Sequence, residues 1–217
     1  MNNKRGRLVV FEGTDGSGKT TQAKLLLNYL KKNKIPNAYI SFPRYESSMW
    51  GKMVRRFLDG DFGQGVDPYL ASMLYAGDRA AASETINKWI GEGKIVVCNR
   101  YVASNIGHMG AKFVDTKKRK EYILWLTELE YKENAIPKED LVFLLQVPIK
   151  TTKELMKNRK LDIHEKDLTY QKKVFDVYDS FAGRKKNWVK VECTKDGEIL
   201  SPEEIHSKIV EVFNRRK

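Results

Sequence analysis

Gly13-Thr14-Asp15-Gly16-Ser17-Gly18-Lys19-Thr20 leaves the apolar run Leu8-Val9-Val10-Phe11 and enters Lys19–Lys32, where Ala23, Leu26, Leu27 and Leu30 share one side. A strand, then G-x-x-x-x-G-K-[ST], then an amphipathic helix is a phosphate-binding loop in its proper context. Glycines let successive backbone N–H groups turn inward around phosphate oxygens with no Cβ in the way. The helix beginning near Gly18 adds the positive end of its dipole. Lys19 supplies a cation at the β- and γ-phosphates, and the Thr20 hydroxyl suits Mg²⁺. Gly13, Asp15, Gly16, Ser17, Gly18, Lys19, Thr20 and Thr21 are the expected ATP contacts, and Thr20 the expected ligand of the Mg²⁺ that accompanies ATP.

Four more short runs read as strands: Ala38–Phe42, Ile95–Cys98, Leu141–Leu145 and Trp188–Glu192. All but the last are nearly continuous in apolar residues, as in strands covered on both faces. Helical spacing separates them. Pro68–Ile90 predicts one long helix, and Glu121–Tyr131 and Lys166–Ala182 predict two others. Ser201-Pro202-Glu203-Glu204 carries an N-cap, a first-turn proline and a capping-box glutamate. The alternation predicts an α/β fold, a three-layer P-loop NTPase sandwich with a five-stranded parallel sheet and helices on both faces.

The chain has 217 residues, 41% of them hydrophobic, enough for a sizeable core in a single domain spanning 1–217. That composition excludes disordered, collagen-like and disulfide-framework chains. No window approaches the ~20 apolar residues of a membrane span. The basic start Met1–Arg7 lacks a long apolar segment, so neither a membrane nor a secretory signal is expected. Cys98 and Cys193 lie in apolar strands and read as buried free thiols, which suits a reducing cytoplasm. The net charge of +12 fits anionic ligands, but no nucleic-acid-binding pattern accompanies it. There is no Asn-Lys-x-Asp guanine motif and no room for the accessory elements of a motor. A kinase for a small acceptor is the remaining class.

Five motifs in order resemble the thymidylate kinases, which transfer phosphate from ATP to dTMP. They are Phe11–Gln22, Phe42-Pro43-Arg44-Tyr45, Leu74-Tyr75-Ala76-Gly77-Asp78-Arg79, Asn99-Arg100-Tyr101-Val102-Ala103-Ser104-Asn105 and Arg159–Glu165. The resemblance implies a lid at about 151–166. It also implies a homodimer, ATP and dTMP as substrates, and dTMP contacts from Asp15, Arg44, Tyr45, Leu58, Tyr75, Arg79, Arg100, Ser104, Asn105 and His108. Arg44 and Arg100 leave strand ends, where ligands of open sheets collect, and either could clamp phosphate oxygens. Read alone, either could equally cap carbonyls or face water. Tyr75 and Arg79 lie four apart on one helix face and can stack on and donate to a pyrimidine, although Tyr75 also reads as a core aromatic. Family members carry their catalytic arginine in the phosphate loop or in the lid. Gly16 follows Asp15 here, so Arg159 takes that role, with Asp162 and Glu165 as lid carboxylates and Lys19, Asp15 and Arg100 as the other catalytic groups.

Two positions depart from the family pattern. Asn99 stands where an aspartate is usual, and His108 where an aromatic residue is frequent. Two alternatives stay open at this point: a kinase for dUMP, UMP or CMP, and a nucleotide-binding regulator with weakened catalysis.

Overall fold

The computed structural model describes residues 5–63, 65–157, 167–183 and 185–216. Its central sheet has the order β2-β3-β1-β4-β5, with β1 Arg7–Glu12, β2 Asn37–Ser41, β3 Ile95–Asn99, β4 Leu141–Gln146 and β5 Trp188–Glu192. Every neighbouring pair runs parallel. All five expected strands are present, with every end within one residue of its expected place and β5 unchanged.

Alternation along β1 explains the layers. Leu8 and Val10 enter one core cluster and Val9 and Phe11 enter the other. Phe11 stacks on Phe143 of β4 at 5.4 Å between ring centroids. The Val9 side is covered by α1 (Lys19–Lys32) and α9 (Pro202–Arg215). Against the Leu8 side lie α2 (Met49–Asp59), α3 (Pro68–Ala80), α4 (Ser83–Gly91), α5 (Val102–Gly110), α6 (Thr116–Glu128) and α8 (Leu168–Ala182). A short helix α7 (Ile149–Leu155) follows β4, and a small hairpin joins β6 (Thr194–Lys195) to β7 (Glu198–Ile199). Ser201 and Glu204 form the expected capping box.

The single helix predicted over Pro68–Ile90 is two. The N–H of Ala81 still reaches Gly77 O, but that of Ala82 bonds Arg79 O, three residues back. The tightened turn buries Ala82 completely and lets its carbonyl accept the first bond of α4, from Ile86. Arg79 on one helix and Ile86 on the next thereby both face inward. Three consecutive alanines leave no helix breaker to mark the turn in sequence. The helix predicted over Glu121–Tyr131 begins earlier, because the Asp115 carboxylate accepts from the N–H groups of Lys117 and Lys118. It ends in a π-helical turn, Leu129–Glu133.

Among the described residues no helix is long and apolar enough to cross a membrane.

Candidate active site

The carboxyl ends of β1, β2 and β3 open into one cavity of about 430 Å³. Its floor is the phosphate loop. Gly13 and Gly16 take φ of 147° and 76°, where a side chain is strained. A Cβ on Gly13 would lie 2.8 Å from Leu145 O, and one on Gly16 would lie 2.8 Å from Met156 Cγ and 3.0 Å from Thr152 O. The loop is therefore pressed between β4 and the α7 segment, and the position after Asp15 has no room for an arginine. Lys19 Nζ donates to Gly13 O at 3.0 Å and Thr14 O at 2.7 Å, so the cation is held over the loop it serves.

Asp15 and Arg100 form an ion pair within the cavity lining. Gln171 Nε2 donates to the second Asp15 oxygen at 3.3 Å, and His108 Nε2 lies 3.9 Å from it. Burial alone would raise the Asp15 pKa. Arg100, with His108 and Lys19, more than offsets that and holds the carboxyl well below the usual range. Arg100 itself is kept firmly protonated, since Asp15 outweighs the cost of its burial.

Arg100 sits at φ 65°, rare for a residue with a side chain. Glu12 holds the turn that follows. It is fully buried and accepts from Tyr101 N–H at 2.7 Å, Ser104 N–H at 3.1 Å, Ser104 Oγ at 2.8 Å and Tyr178 OH at 2.9 Å. Burial raises its pKa, opposed by Arg100 and by these donors. One carboxylate thus clamps the start of α5 to the end of β1 and orients Arg100 beside the phosphate loop.

Of the expected nucleotide contacts, Asp15, Gly16, Gly18, Lys19, Thr20 and Thr21 line the cavity. Gly13 and Ser17 are not among its lining residues. Tyr45, Leu58, Tyr75, Arg79, Arg100, Ser104, Asn105 and His108 line the same cavity. The guanidinium of Arg55 stacks on Tyr45 at 4.1 Å from its centroid, and Phe57 packs edge-on against Tyr75. Asn105 donates to Ser72 O at 3.2 Å.

Arg44 is not among the lining residues, and its Nε donates to Asp78 Oδ1 and its Nη2 to Asp78 O, both at 2.9 Å. Its N–H also donates to Asp78 Oδ2 at 2.7 Å. Asp78 is fully buried, so Arg44 neutralises an interior charge and ties the turn after β2 to α3. Arg79 is almost entirely buried, with Nε and Nη2 both donating to one oxygen of Glu130 and Nη1 reaching Tyr101 O at 3.4 Å. Arg159, Asp162 and Glu165 lie outside the described residues.

Asn99 Nδ2 donates to Thr20 Oγ1 and to Ser41 Oγ, each at 3.1 Å, while its Oδ1 is buried with no hydrogen-bond partner among the described residues. The same residues include no cluster of three or more His, Cys, Asp or Glu able to hold a metal. Thr20, which lines the cavity beside the phosphate loop, fits a cation that arrives with phosphates and keeps much of its water, the habit of Mg²⁺.

Glu12, Asp78, Glu130 and Gln171 are the site residues that the sequence reading missed. Two of them left a signal. Glu12 is an acid closing a run otherwise apolar on both faces, and Glu130 falls on the spacing of the buried Tyr122 and Leu126. A charge on an interior face needs a partner. Asp78 and Gln171 left none.

A family model described as thymidylate kinase matches residues 11–209. A thymidylate kinase of Plasmodium falciparum is 29% identical over 217 residues, 99% of this chain and 92% of that protein. A thymidylate kinase of Fervidobacterium nodosum is 31% identical over 209 residues, 95% of this chain and 98% of that protein. The solved thymidylate kinase of Candida albicans superposes with a TM-score of 0.79 at 24% identity, covering 98% of this chain and 93% of that one, a likeness of fold.

Proposed function

Because this chain belongs to the thymidylate kinase family, ATP-dependent phosphotransferases that act on dTMP, we propose which of its side chains bind the two substrates and move the phosphoryl group. The acceptor pyrimidine stacks on Tyr75 against Leu58, and Arg79 donates to a base carbonyl. Arg100 meets the 5′-phosphate, with Tyr45 beside it. Ser104, Asn105 and His108 complete the wall around base and sugar. Asp15 accepts from the sugar hydroxyl while keeping Arg100 oriented.

ATP lies on Gly13–Thr21 with its γ-phosphate under Lys19. The Mg²⁺ that accompanies ATP would rest on Thr20, with Asn99 next to it, and would draw charge off the phosphate oxygens. Transfer needs no covalent enzyme intermediate: the acceptor phosphate oxygen attacks the γ-phosphorus in line, and ADP leaves. Arg159 is assigned the stabilisation of the transferring group, since the loop alternative at Gly16 is sterically closed by Met156 and Thr152.

The observation that carries this reading is that the phosphate loop and the Tyr75–Arg79 helix face line a single cavity. A coupled ADP-release assay over dTMP, dUMP, UMP and CMP tests it. The highest kcat/KM is expected for dTMP. Uracil should follow closely, because one methyl group in an apolar pocket discriminates by only ~1–3 kcal/mol. A better kcat/KM on CMP would overturn the acceptor assignment.

A homodimer through α2 and α3 belongs to the same proposal. Leu70, Met73 and Gly77 share one face of α3, and Trp50 of α2 packs on Gly77. Met49, Trp50, Leu70 and Met73 are exposed by 79%, 43%, 61% and 48%, an apolar stripe that a second copy would cover. Two buried free thiols, Cys98 and Cys193, suit the cytoplasm.

A further inference from the structure

Arg79 and Glu130 form an ion pair with side-chain exposures of 1% and 0%. Interior pairs of this kind contribute little to stability, because desolvation consumes most of the attraction, and an apolar pair of similar volume often does as well. The fold alone gives no reason for it. Its position does: Arg79 lines the substrate cavity, whereas Glu130 stands behind it at the π-helical turn of Leu129–Glu133.

The bonding is lopsided. One oxygen of Glu130 takes both Nε and Nη2 of Arg79, and the other oxygen is buried with no hydrogen-bond partner among the described residues. Among the described residues Arg79 Nη1 has only the long 3.4 Å contact to Tyr101 O. Two guanidinium nitrogens are therefore fixed, and the Nη1 side is the edge left for a ligand.

We infer that Glu130 is the positioning residue that sets acceptor-base specificity, by holding Arg79 so that a single donor edge faces the base. A fixed donor edge accepts a pyrimidine with a carbonyl at C4 and opposes the exocyclic amine that cytosine carries there. This inference rests on the reading of Arg79 as the base contact. It places the discriminating charge outside the cavity, on a residue that touches no substrate.

The test is steady-state kinetics with dTMP, dCMP and ATP on Glu130→Gln, Arg79→Gln and the double variant. Glu130→Gln is expected to raise KM for dTMP about tenfold or more with kcat within about threefold, to leave KM for ATP unchanged, and to lower the dTMP-over-dCMP ratio of kcat/KM about tenfold. In the Arg79→Gln background the same change should add nothing, since Glu130 acts only through Arg79. If Glu130→Gln does not fold, Glu130→Asp keeps the charge at shorter reach and is read against the same expectations.

An unchanged dTMP KM, a parallel shift of both KM values and kcat, or an effect of Glu130→Gln that persists without Arg79 overturns the inference. If Arg79→Gln alone leaves dTMP binding intact, the assignment of Arg79 to the base fails instead, and this inference with it.

Discussion

The guanidinium of Arg100 is bonded to the carboxylate of Asp15, so the cation at the end of β3 is carried by the phosphate loop itself. The donor and acceptor halves of the cavity share one electrostatic element. Asp15→Asn should uncouple them. Removing one member of a buried pair leaves the other uncompensated and costs roughly 3–5 kcal/mol. The expected result is a lower urea midpoint together with a dTMP kcat/KM at least about 100-fold down. Because Asp15 is held ionised far below neutrality, no inflection from it should appear in the wild-type pH–rate profile between about pH 5 and pH 9.

Lys19→Ala should leave the fold intact and nearly abolish turnover. Lys19 donates to groups of its own loop, Gly13 O, Thr14 O and Ser17 Oγ. Circular dichroism should match the parent while ADP release falls by about 10³ or more, the scale of a lost charge clamp.

Arg159→Ala separates chemistry from binding. A transition-state contact lowers kcat without weakening the ground-state acceptor complex, so kcat should fall by about 10³ with dTMP KM nearly unchanged. A wild-type kcat would refute the lid arginine.

Glu139 gives a pH dependence of stability. Burial pushes its pKa up to about 7, aided by Glu12 and Glu130 and opposed by the hydroxyl of Tyr131, which donates at 2.8 Å to both of its oxygens. Between the ordinary 4.5 and about 7 the folded protein keeps a proton that the unfolded chain has released. Stability must then fall as pH rises through that window. Urea midpoints measured at several pH values should show this decline, and Glu139→Gln should flatten it.

Met73→Glu addresses the oligomer. Met73 is 48% exposed, so a charge there should not unfold the monomer. In light scattering the parent should have twice the monomer mass and the variant the monomer mass.

The parts of this molecule visible in sequence are those whose cause is local. Leu8–Phe11 and Leu141–Leu145 declare buried strands by their own composition, and Gly13–Thr20 declares a phosphate loop by spacing alone. Ser201 and Glu204 declare a helix start within four residues. The parts that stayed hidden depend on residues far apart in the chain. Arg44 shows no sign in sequence of its buried partner Asp78, 34 positions on, which accepts from its guanidinium. The break at Ala81-Ala82 comes from what the helices bury, and alanine favours a helix on either side of it. Glu130 sits on the same face as Tyr122 and Leu126, yet its partner Arg79 is 51 residues earlier.

β1 occupies the middle of the sheet, paired on one side with β3 and on the other with β4. Its backbone amides should therefore be the slowest in the chain to exchange with deuterium, opening only when the whole molecule comes apart. The nucleotide grip is grafted onto the last piece to melt. Fraying should begin at the peripheral strands β2 and β5, and the hold on the donor should outlast it until the whole fold melts.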